Sequence, residues 1–238
     1  MRVLRGAVDR DLYAYLPPSY APGTRRYPVL YMQDGLNLFD EDTSYAGEWR
    51  VDETMEALAT EGIEAIVVGV PHGPDRAGEY VPAQHGPEYI AFLADEVKPL
   101  VDDTLHPLSG RSGTGLAGSS LGGIISLYGF VERNDVFSFA GVMSPAFWWD
   151  ESLFDLVAAA PRRDGRIWMD VGDDEHPENT ELSKKYVDGF ERMSATLRDR
   201  GYGEAQLRTL LEPGARHHET AWARRLPEML RFLLPAAR

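Results

Sequence analysis

The sequence predicts an α/β protein built around a mostly parallel β-sheet. Short runs of β-branched and apolar residues, bounded by Gly, Pro or Asp, alternate with segments whose apolar residues recur at spacings of three and four. Strands that alternate with helices predict parallel strands joined by crossover helices, with helices on both faces of the sheet. The chain has no internal repeat or linker-like tract, so we expect a single domain over residues 1–238.

Seven segments have the strand pattern and five have the helix pattern. The predicted strands are residues 13–16, 28–32, 63–70, 115–119, 137–143, 167–171 and 206–211. The predicted helices are residues 51–60, 88–105, 121–132, 181–200 and 220–234. Acidic residues or proline stand where two of the helices begin, at Asp52, Glu53 and Pro87. We expect the first strands to form an antiparallel edge of the sheet.

Composition excludes several classes of function. The chain has no cysteine, so covalent catalysis must use oxygen or nitrogen, and disulfides and thiolate-bound zinc are excluded. Its net charge is -14, and no run of basic residues is longer than two, which argues against nucleic acid as a partner. We expect no metal and no cofactor.

The sequence also indicates a cellular location. No apolar stretch approaches the length of roughly 20 residues that a membrane helix needs, so we expect no membrane association. The first residues, Met1 to Gly6, contain no apolar core of a signal peptide. We therefore expect a cytoplasmic protein.

The motif that points most directly to chemistry is Gly-Ser-Ser-Leu-Gly at residues 118–122. It joins the predicted strand 115–119 to the predicted helix 121–132, which is the context of a nucleophile elbow. Glycines on both sides relieve crowding in the sharp turn, and the central Ser120 presents its hydroxyl. Ser119 is a weaker alternative because glycines do not frame it symmetrically.

Two later strands are also followed by residues suited to catalysis. An acidic loop with Asp173, Asp174 and Glu175 follows the strand 167–171, and a histidine pair, His217 and His218, follows the last strand. Ligands of open α/β sheets bind at the carboxyl ends of the strands, so these residues are expected to converge with Ser120. The chain order serine, acid, histidine is that of α/β-hydrolases.

The chain resembles the putative esterase family of α/β-hydrolases, which includes esterase D and enterochelin esterase. The resemblance is carried by residues 31–40, by residues 67–73 with Arg76, Glu79 and Tyr80, by the pentapeptide around Ser120, by residues 143–148 and by residues 217–222. It implies an α/β-hydrolase fold. Only about twenty residues separate the strand end at residues 143–145 from the next predicted strand, which is too few for a large lid, so we expect little or no lid. The resemblance also implies a serine carboxylesterase that acts on a small-molecule ester.

The resemblance assigns the base and the acid. Relatives have the catalytic histidine five residues before a tryptophan, which favours His217 with Trp222 and leaves His218 as the alternative. They usually have the acid three residues after the glycine that ends its strand, which favours Glu175 in place of the commoner Asp. Asp174 is the alternative acid, and Asp173 or a Ser-His dyad without an acid also remain open.

An oxyanion hole needs two donors aimed at the developing negative charge. In this fold one donor is the backbone N–H after the nucleophile, here Leu121, and the second comes from the loop after the third strand, here Leu36 or Gly35. Many relatives have His where this chain has Gln33, which puts a side-chain contribution from this position in doubt.

Four further residues are expected to contact substrate, because they also follow strands. They are Arg76, Tyr80, Trp148 and Trp149. Three alternatives to simple ester hydrolysis remain: acyl transfer to an alcohol, hydrolysis of a siderophore lactone or a thioester, and a catalytically silent scaffold that binds a ligand.

Overall fold

All described strands lie in one eight-stranded sheet, in the order β1-β2-β4-β3-β5-β6-β7-β8. The structure, a computed structural model, describes residues 2–4, 8–21, 23 and 25–234. The strands are β1 (Arg2–Leu4), β2 (Leu12–Tyr15), β3 (Val29–Gln33), β4 (Ile66–Val70), β5 (Thr114–Ser119), β6 (Phe139–Met143), β7 (Arg166–Gly172) and β8 (Leu207–Glu212). β3 to β8 are parallel to one another, whereas β2 runs antiparallel to both β1 and β4. The predicted α/β fold is confirmed.

The helices are α1 (Val51–Ala59), α2 (Arg76–Tyr80), α3 (Gly86–Phe92), α4 (Lys98–Leu105), α5 (Leu121–Glu132), α6 (Ser152–Ala159), α7 (Thr180–Asp199) and α8 (Glu219–Leu233). The single helix predicted over 88–105 is divided by a π-helical segment, Leu93–Val97. Pro99 follows this segment and has no N–H to donate, so the wider turn accommodates the interrupted hydrogen-bond ladder. Three short elements, β1, α2 and α6, were not predicted.

The core has two apolar layers, one on each face of the sheet. α1 and α8 pack together over one face, with Val51, Met55, Leu226 and Met229 buried there. The opposite face carries α3 to α7, and residues 121–131 of α5 are all buried. No helix among the described residues is long and apolar enough to cross a membrane.

The parallel register brings the candidate residues to one edge of the sheet. The paired residues at the strand ends are Gln33 with Val70, Ser119 with Met143, and Gly172 with Glu212. The loops that follow these residues therefore leave the sheet side by side at its carboxyl edge.

Close packing at Gly35, where the loop after β3 begins, gives a test of the fold. A Cβ at this position would lie 2.5 Å from the carbonyl carbon of Gly69 and 2.6 Å from the nitrogen of Val70. These are backbone atoms of a central strand and cannot move aside independently. We expect Gly35→Ala to lower the free energy of unfolding by about 1–3 kcal/mol, measured by denaturant titration.

Gly110→Ala is the matched control, because a Cβ there meets no atom within 4 Å and the residue has a φ of -72°. We expect its free energy of unfolding to change by less than about 1 kcal/mol. Equal losses in the two variants would contradict the packing at Gly35.

Candidate active site

Ser120 occupies a strained turn between β5 and α5. Its φ is 57° and its ψ is -121°, a conformation that non-glycine residues rarely adopt and that persists only where the surrounding structure imposes it. The Ser120 N–H donates to the carbonyl of Met143 at 2.9 Å. A Cβ on Gly118 would lie 2.7 Å from the carbonyl oxygen of Gly122, and one on Gly122 would lie 3.0 Å from Gln33. Gly118 is therefore needed sterically, and a side chain at Gly122 would require Gln33 to shift.

His217 is held against Glu175 by two hydrogen bonds. Nδ1 of His217 lies 2.7 Å from Oε2 of Glu175, and the backbone N–H of His217 donates to the Glu175 carbonyl at 2.9 Å. These bonds tie the loop after β8 to the loop after β7. They fix the orientation of the imidazole and leave its Nε2 as the atom available for proton transfer.

The second oxygen of Glu175 accepts two further hydrogen bonds. The hydroxyl of Ser144 and the N–H of Gly172 both donate to Oε1 at 2.6 Å. Burial of the side chain works to raise the pKa of Glu175, but the hydrogen bonds and charge of His217, with those from Ser144 and Gly172, outweigh it and lower the pKa. Glu175 is therefore ionised at neutral pH.

The alternative acids and the alternative base have other contacts. Asp173 accepts a hydrogen bond from the N–H of Gly214 at 2.6 Å, which is a second link between the two loops. The side chain of Asp174 makes no hydrogen bond or ion pair with any residue that the structure describes. His218 caps α8, because its Nδ1 accepts the N–H of Thr220 at 3.2 Å.

Ser144 fixes Glu175 from behind. Its Oγ accepts hydrogen bonds from the indole N–H of Trp222 at 3.0 Å and from Nη2 of Arg225 at 2.9 Å. A hydroxyl has two acceptor sites and one proton, so with both acceptor sites occupied the proton is directed to Glu175. Ser144 also has a positive φ of 40°, which marks a second constrained turn, at the end of β6.

A buried ion pair supports this arrangement. Nη1 of Arg225 lies 3.3 Å from Oδ1 of Asp170, and both side chains are almost completely buried. Asp170 also accepts the indole N–H of Trp168 at 2.6 Å. Burial raises the pKa of Asp170 to about 6, although the charge of Arg225 opposes the rise.

Backbone donors are available where the sequence predicts an oxyanion hole. Leu121 is the first residue of α5, and the first N–H groups of a helix have no intrahelical acceptor. The loop after β3 forms a 3-10 turn, Gly35–Asn37, that places Leu36 at the cleft. Gln33 is buried, and its amide contacts the hydroxyls of Tyr89 and Ser126. Its side chain therefore faces the core.

Arg76 lies in the cleft as a partner of Asp34. Its Nε and Nη2 each lie 2.7 Å from a carboxylate oxygen of Asp34, which is a bidentate pair. Tyr80 is completely buried behind this pair. Its hydroxyl accepts the N–H of Asp34 at 3.1 Å, and its ring lies 5.0 Å from the Arg76 guanidinium carbon. Tyr80 supports the wall of the cleft from behind.

The two tryptophans are placed differently from the sequence prediction. Trp149 is half exposed, and neither it nor Trp148 is among the residues that line the cleft beside Ser120. Trp148 packs edge-on against Tyr186 on α7, with ring centroids 6.0 Å apart. In this structure they are neighbours of the site.

Tyr186 belongs to the site and was not predicted. Its ring centroid lies 4.8 Å from that of His217, and Ser120 is among the groups that lower the pKa of its hydroxyl against the effect of burial. Burial raises the pKa of Tyr186, so the hydroxyl is protonated at neutral pH. Tyr186 lies in the middle of α7, and its position in the apolar pattern of this helix is that of an ordinary core residue. The sequence therefore did not indicate a role in the site.

Ser120 and His217 line one cleft of about 670 Å³, a volume in the range of small-molecule sites. The lining residues are Asp34, Leu36, Asn37, Thr43, Ser44, Tyr45, Trp49, Pro71, His72, Arg76, Ser119, Ser120, His217, Glu219 and Trp222. The loop between β3 and α1 contributes much of one wall, and Tyr45 is 95% exposed.

Carboxylates cluster outside this cleft near the beginning of α1. Oxygens of Glu48, Asp52 and Glu53 lie within 4.8 Å of one another. Two of these side chains are half-buried and one is exposed, and such clusters are common on acidic surfaces. None of the three is among the described residues that line the Ser120 cleft.

Comparison with known proteins identifies the family. A family model described as "Putative esterase" matches residues 7–233. The chain belongs to this family. It is thus an enzyme of the ester-hydrolase class, as the sequence predicted.

Several relatives are similar over nearly the whole chain. The protein YbbA of Bacillus subtilis is 23% identical over 241 residues, which cover 95% of this chain and 93% of the relative. An endo-1,4-beta-xylanase/feruloyl esterase of Xylanibacter ruminicola is 24% identical over 226 residues, 92% of this chain but 28% of the relative. The structure of the siderophore hydrolase EstA from Aspergillus nidulans matches with a TM-score of 0.76 and 16% identity, covering 96% of this chain and 93% of that one. The structural likeness shows a shared fold.

Substitution of two adjacent arginines on α8, Arg225 and Arg224, tests the buried ion pair behind Glu175. Arg225→Met leaves Asp170 as an uncompensated buried charge, so we expect it to lower the free energy of unfolding by about 3–5 kcal/mol. Arg224→Met removes the same charge from an exposed pair with Glu212, and we expect it to cost about 1 kcal/mol or less. Urea titration measures both, and similar losses would contradict the buried ion pair.

Proposed function

We propose that this protein is a serine carboxylesterase in which Ser120, His217 and Glu175 form a catalytic triad. The observation that carries the proposal is the 2.7 Å hydrogen bond between His217 and an ionised, buried Glu175, in a cleft that His217 shares with the strained Ser120. Membership of the esterase family supports the reaction class.

In the acylation step, Nε2 of His217 removes the proton from Ser120 as Oγ attacks the ester carbonyl carbon. The carbonyl oxygen becomes an oxyanion that accepts hydrogen bonds from the N–H of Leu121 and from that of Leu36 or Gly35. Protonated His217 then gives its proton to the departing alcohol oxygen. The products of this half-reaction are the free alcohol and an acyl-enzyme.

Deacylation repeats the sequence with water as the nucleophile. His217 removes a proton from water, the hydroxide oxygen bonds to the acyl carbon, and Ser120 Oγ leaves with the proton that His217 returns. Glu175 stays ionised throughout and stabilises the imidazolium that forms in each step. Its low pKa suits this role, because a neutral carboxyl would supply no compensating charge.

The cleft supports a substrate of modest size. Its volume of about 670 Å³ fits a small acyl ester and does not require a macromolecular partner. Two similar proteins are named as a feruloyl esterase and as a siderophore hydrolase. Feruloyl esters and siderophore esters are therefore the first substrates to test.

The nucleophile is tested by labelling and by substitution. We expect Ser120→Ala to lower kcat for nitrophenyl esters by a factor of about 10³ or more and to abolish labelling by a fluorophosphonate, because the attacking oxygen is absent. Stopped assays and mass spectrometry of labelled peptides measure the two effects.

Ser119→Ala is the control, since it removes the adjacent hydroxyl and leaves Ser120 in place. We expect this variant to keep its labelling at Ser120. Retained esterase activity in Ser120→Ala would exclude Ser120 as the nucleophile.

A further inference from the structure

Glu219 is a buried carboxylate in the cleft with no place in the triad. It is the first residue of α8, two residues after His217, and it lines the same cleft as Ser120. Its side chain is 8% exposed. A carboxylate that is more than nine-tenths buried is expected to be satisfied by hydrogen-bond donors or by a cation.

No other side chain of the described residues donates a hydrogen bond to Glu219. The nearest basic atom is Nδ1 of His218, at 4.0 Å, and this atom already accepts the N–H of Thr220. Burial raises the pKa of Glu219, and its own backbone N–H and the charges of His218 and His217 oppose that rise. These interactions leave the face of the carboxylate that meets the cleft without a donor.

None of the described residues that line the cleft forms an ion pair with Glu219. The cation among its lining residues is Arg76, whose guanidinium is bound in bidentate fashion by Asp34. The positive charge of Arg76 is therefore compensated by a bidentate pair, whereas the ion-pair contact of Glu219 is the 4.0 Å one with His218. The net charge of the chain, -14, adds to the same field.

Glu219 shares the cleft with His217, the residue that protonates the leaving alcohol in the proposed reaction. In the proposed reaction His217 protonates the departing oxygen, so the alcohol portion of the ester must lie against the imidazole. Glu219 follows His217 by two residues and interacts with its charge, which is the basis for assigning its carboxylate to the same portion. A group on the alcohol that donates a hydrogen bond or carries positive charge would satisfy it.

We propose that Glu219 is a specificity residue for the alcohol portion of the substrate, selecting esters of cationic or hydroxyl-bearing alcohols and rejecting esters of anionic ones. This inference rests on the proposed esterase function. It narrows the substrate class, since strongly anionic esters are disfavoured.

A series of acetate esters tests the selection while the acyl group stays constant. We would compare kcat/KM for acetylcholine with that for its uncharged isostere 3,3-dimethylbutyl acetate, and for glycerol monoacetate with that for propyl acetate. 4-Acetoxybutanoate supplies an anionic alcohol. Release of acetate at pH 8, followed by pH-stat titration, measures all five.

We expect the wild-type protein to prefer acetylcholine to its isostere and to hydrolyse 4-acetoxybutanoate most slowly. Glu219→Gln should lower the preference for the cation by about tenfold and raise the relative rate of the anionic ester. A fall in the preference for glycerol monoacetate as well would indicate hydroxyl recognition, whereas a fall for acetylcholine alone would indicate recognition of charge. Either result supports a selecting role for Glu219.

Glu41→Gln is the matched control. Glu41 is exposed and lies outside the cleft lining, so its substitution changes the net charge equally and should leave both preference ratios unchanged. Glu219→Asp keeps the charge and should keep the preference for the cation, which provides a second variant if the glutamine variant folds poorly.

The outcomes separate this inference from the proposed function. If the wild-type protein hydrolyses 3,3-dimethylbutyl acetate but the Glu219→Gln ratios equal those of the wild type, the selecting role is wrong and the esterase proposal stands. A lower melting temperature with unchanged ratios has the same meaning, since it indicates a purely structural carboxylate. If Ser120 resists labelling and no ester of the series is cleaved, the esterase proposal and this inference both fail.

Discussion

The hydrogen bond between His217 and Glu175 is the interaction on which the rest of the site depends. It joins the loops that follow two neighbouring strands, β7 and β8, and it sets the orientation of the imidazole toward the cleft. Glu175 in turn accepts hydrogen bonds from Ser144, after β6, and from Gly172, at the end of β7. A single carboxylate therefore couples three loops, and the register of three parallel strands determines where His217 lies.

Behind Glu175, a chain of buried charged and polar side chains extends into the protein interior. Asp170 is paired with Arg225, Arg225 donates to Ser144, and the proton of Ser144 is directed to Glu175. Burying these groups costs solvation free energy, which the hydrogen bonds and the ion pair offset in part, since Oδ1 of Asp170 and Nη1 of Arg225 make no hydrogen bond to any residue that the structure describes. The network fixes the Glu175 carboxylate in one orientation. A carboxylate exposed to water would keep several rotamers and would orient His217 less well.

The sequence was informative where function depends on local geometry. The Gly-x-Ser-x-Gly motif predicted a strand, a sharp turn and a helix, and the structure has the positive φ of Ser120 at that turn. The alternation of apolar runs predicted seven of the strands within a few residues, because each buried strand is a short continuous apolar segment. Short edge elements such as β1 have too few residues to show a period.

Residues whose roles depend on long-range contacts could not be predicted. Ser144, Tyr186 and Arg225 lie far apart along the chain, and none belongs to a motif with a mechanism of its own. Trp148 follows a strand as a substrate-contacting residue would, but the turn after β6 directs it toward α7. Periodicity identifies the buried face of an element and does not identify which element packs against it.

The most direct test of this account compares the two neighbouring acids of the loop after β7. Glu175→Gln removes the charge that holds His217, and we expect kcat/KM for ester hydrolysis to fall by a factor of about 10²–10⁴. Asp174→Asn removes a carboxylate one residue away and should change kcat/KM by less than about twofold, since no side-chain contact links it to His217. The reverse order of the two effects would contradict the assignment of Glu175 as the acid.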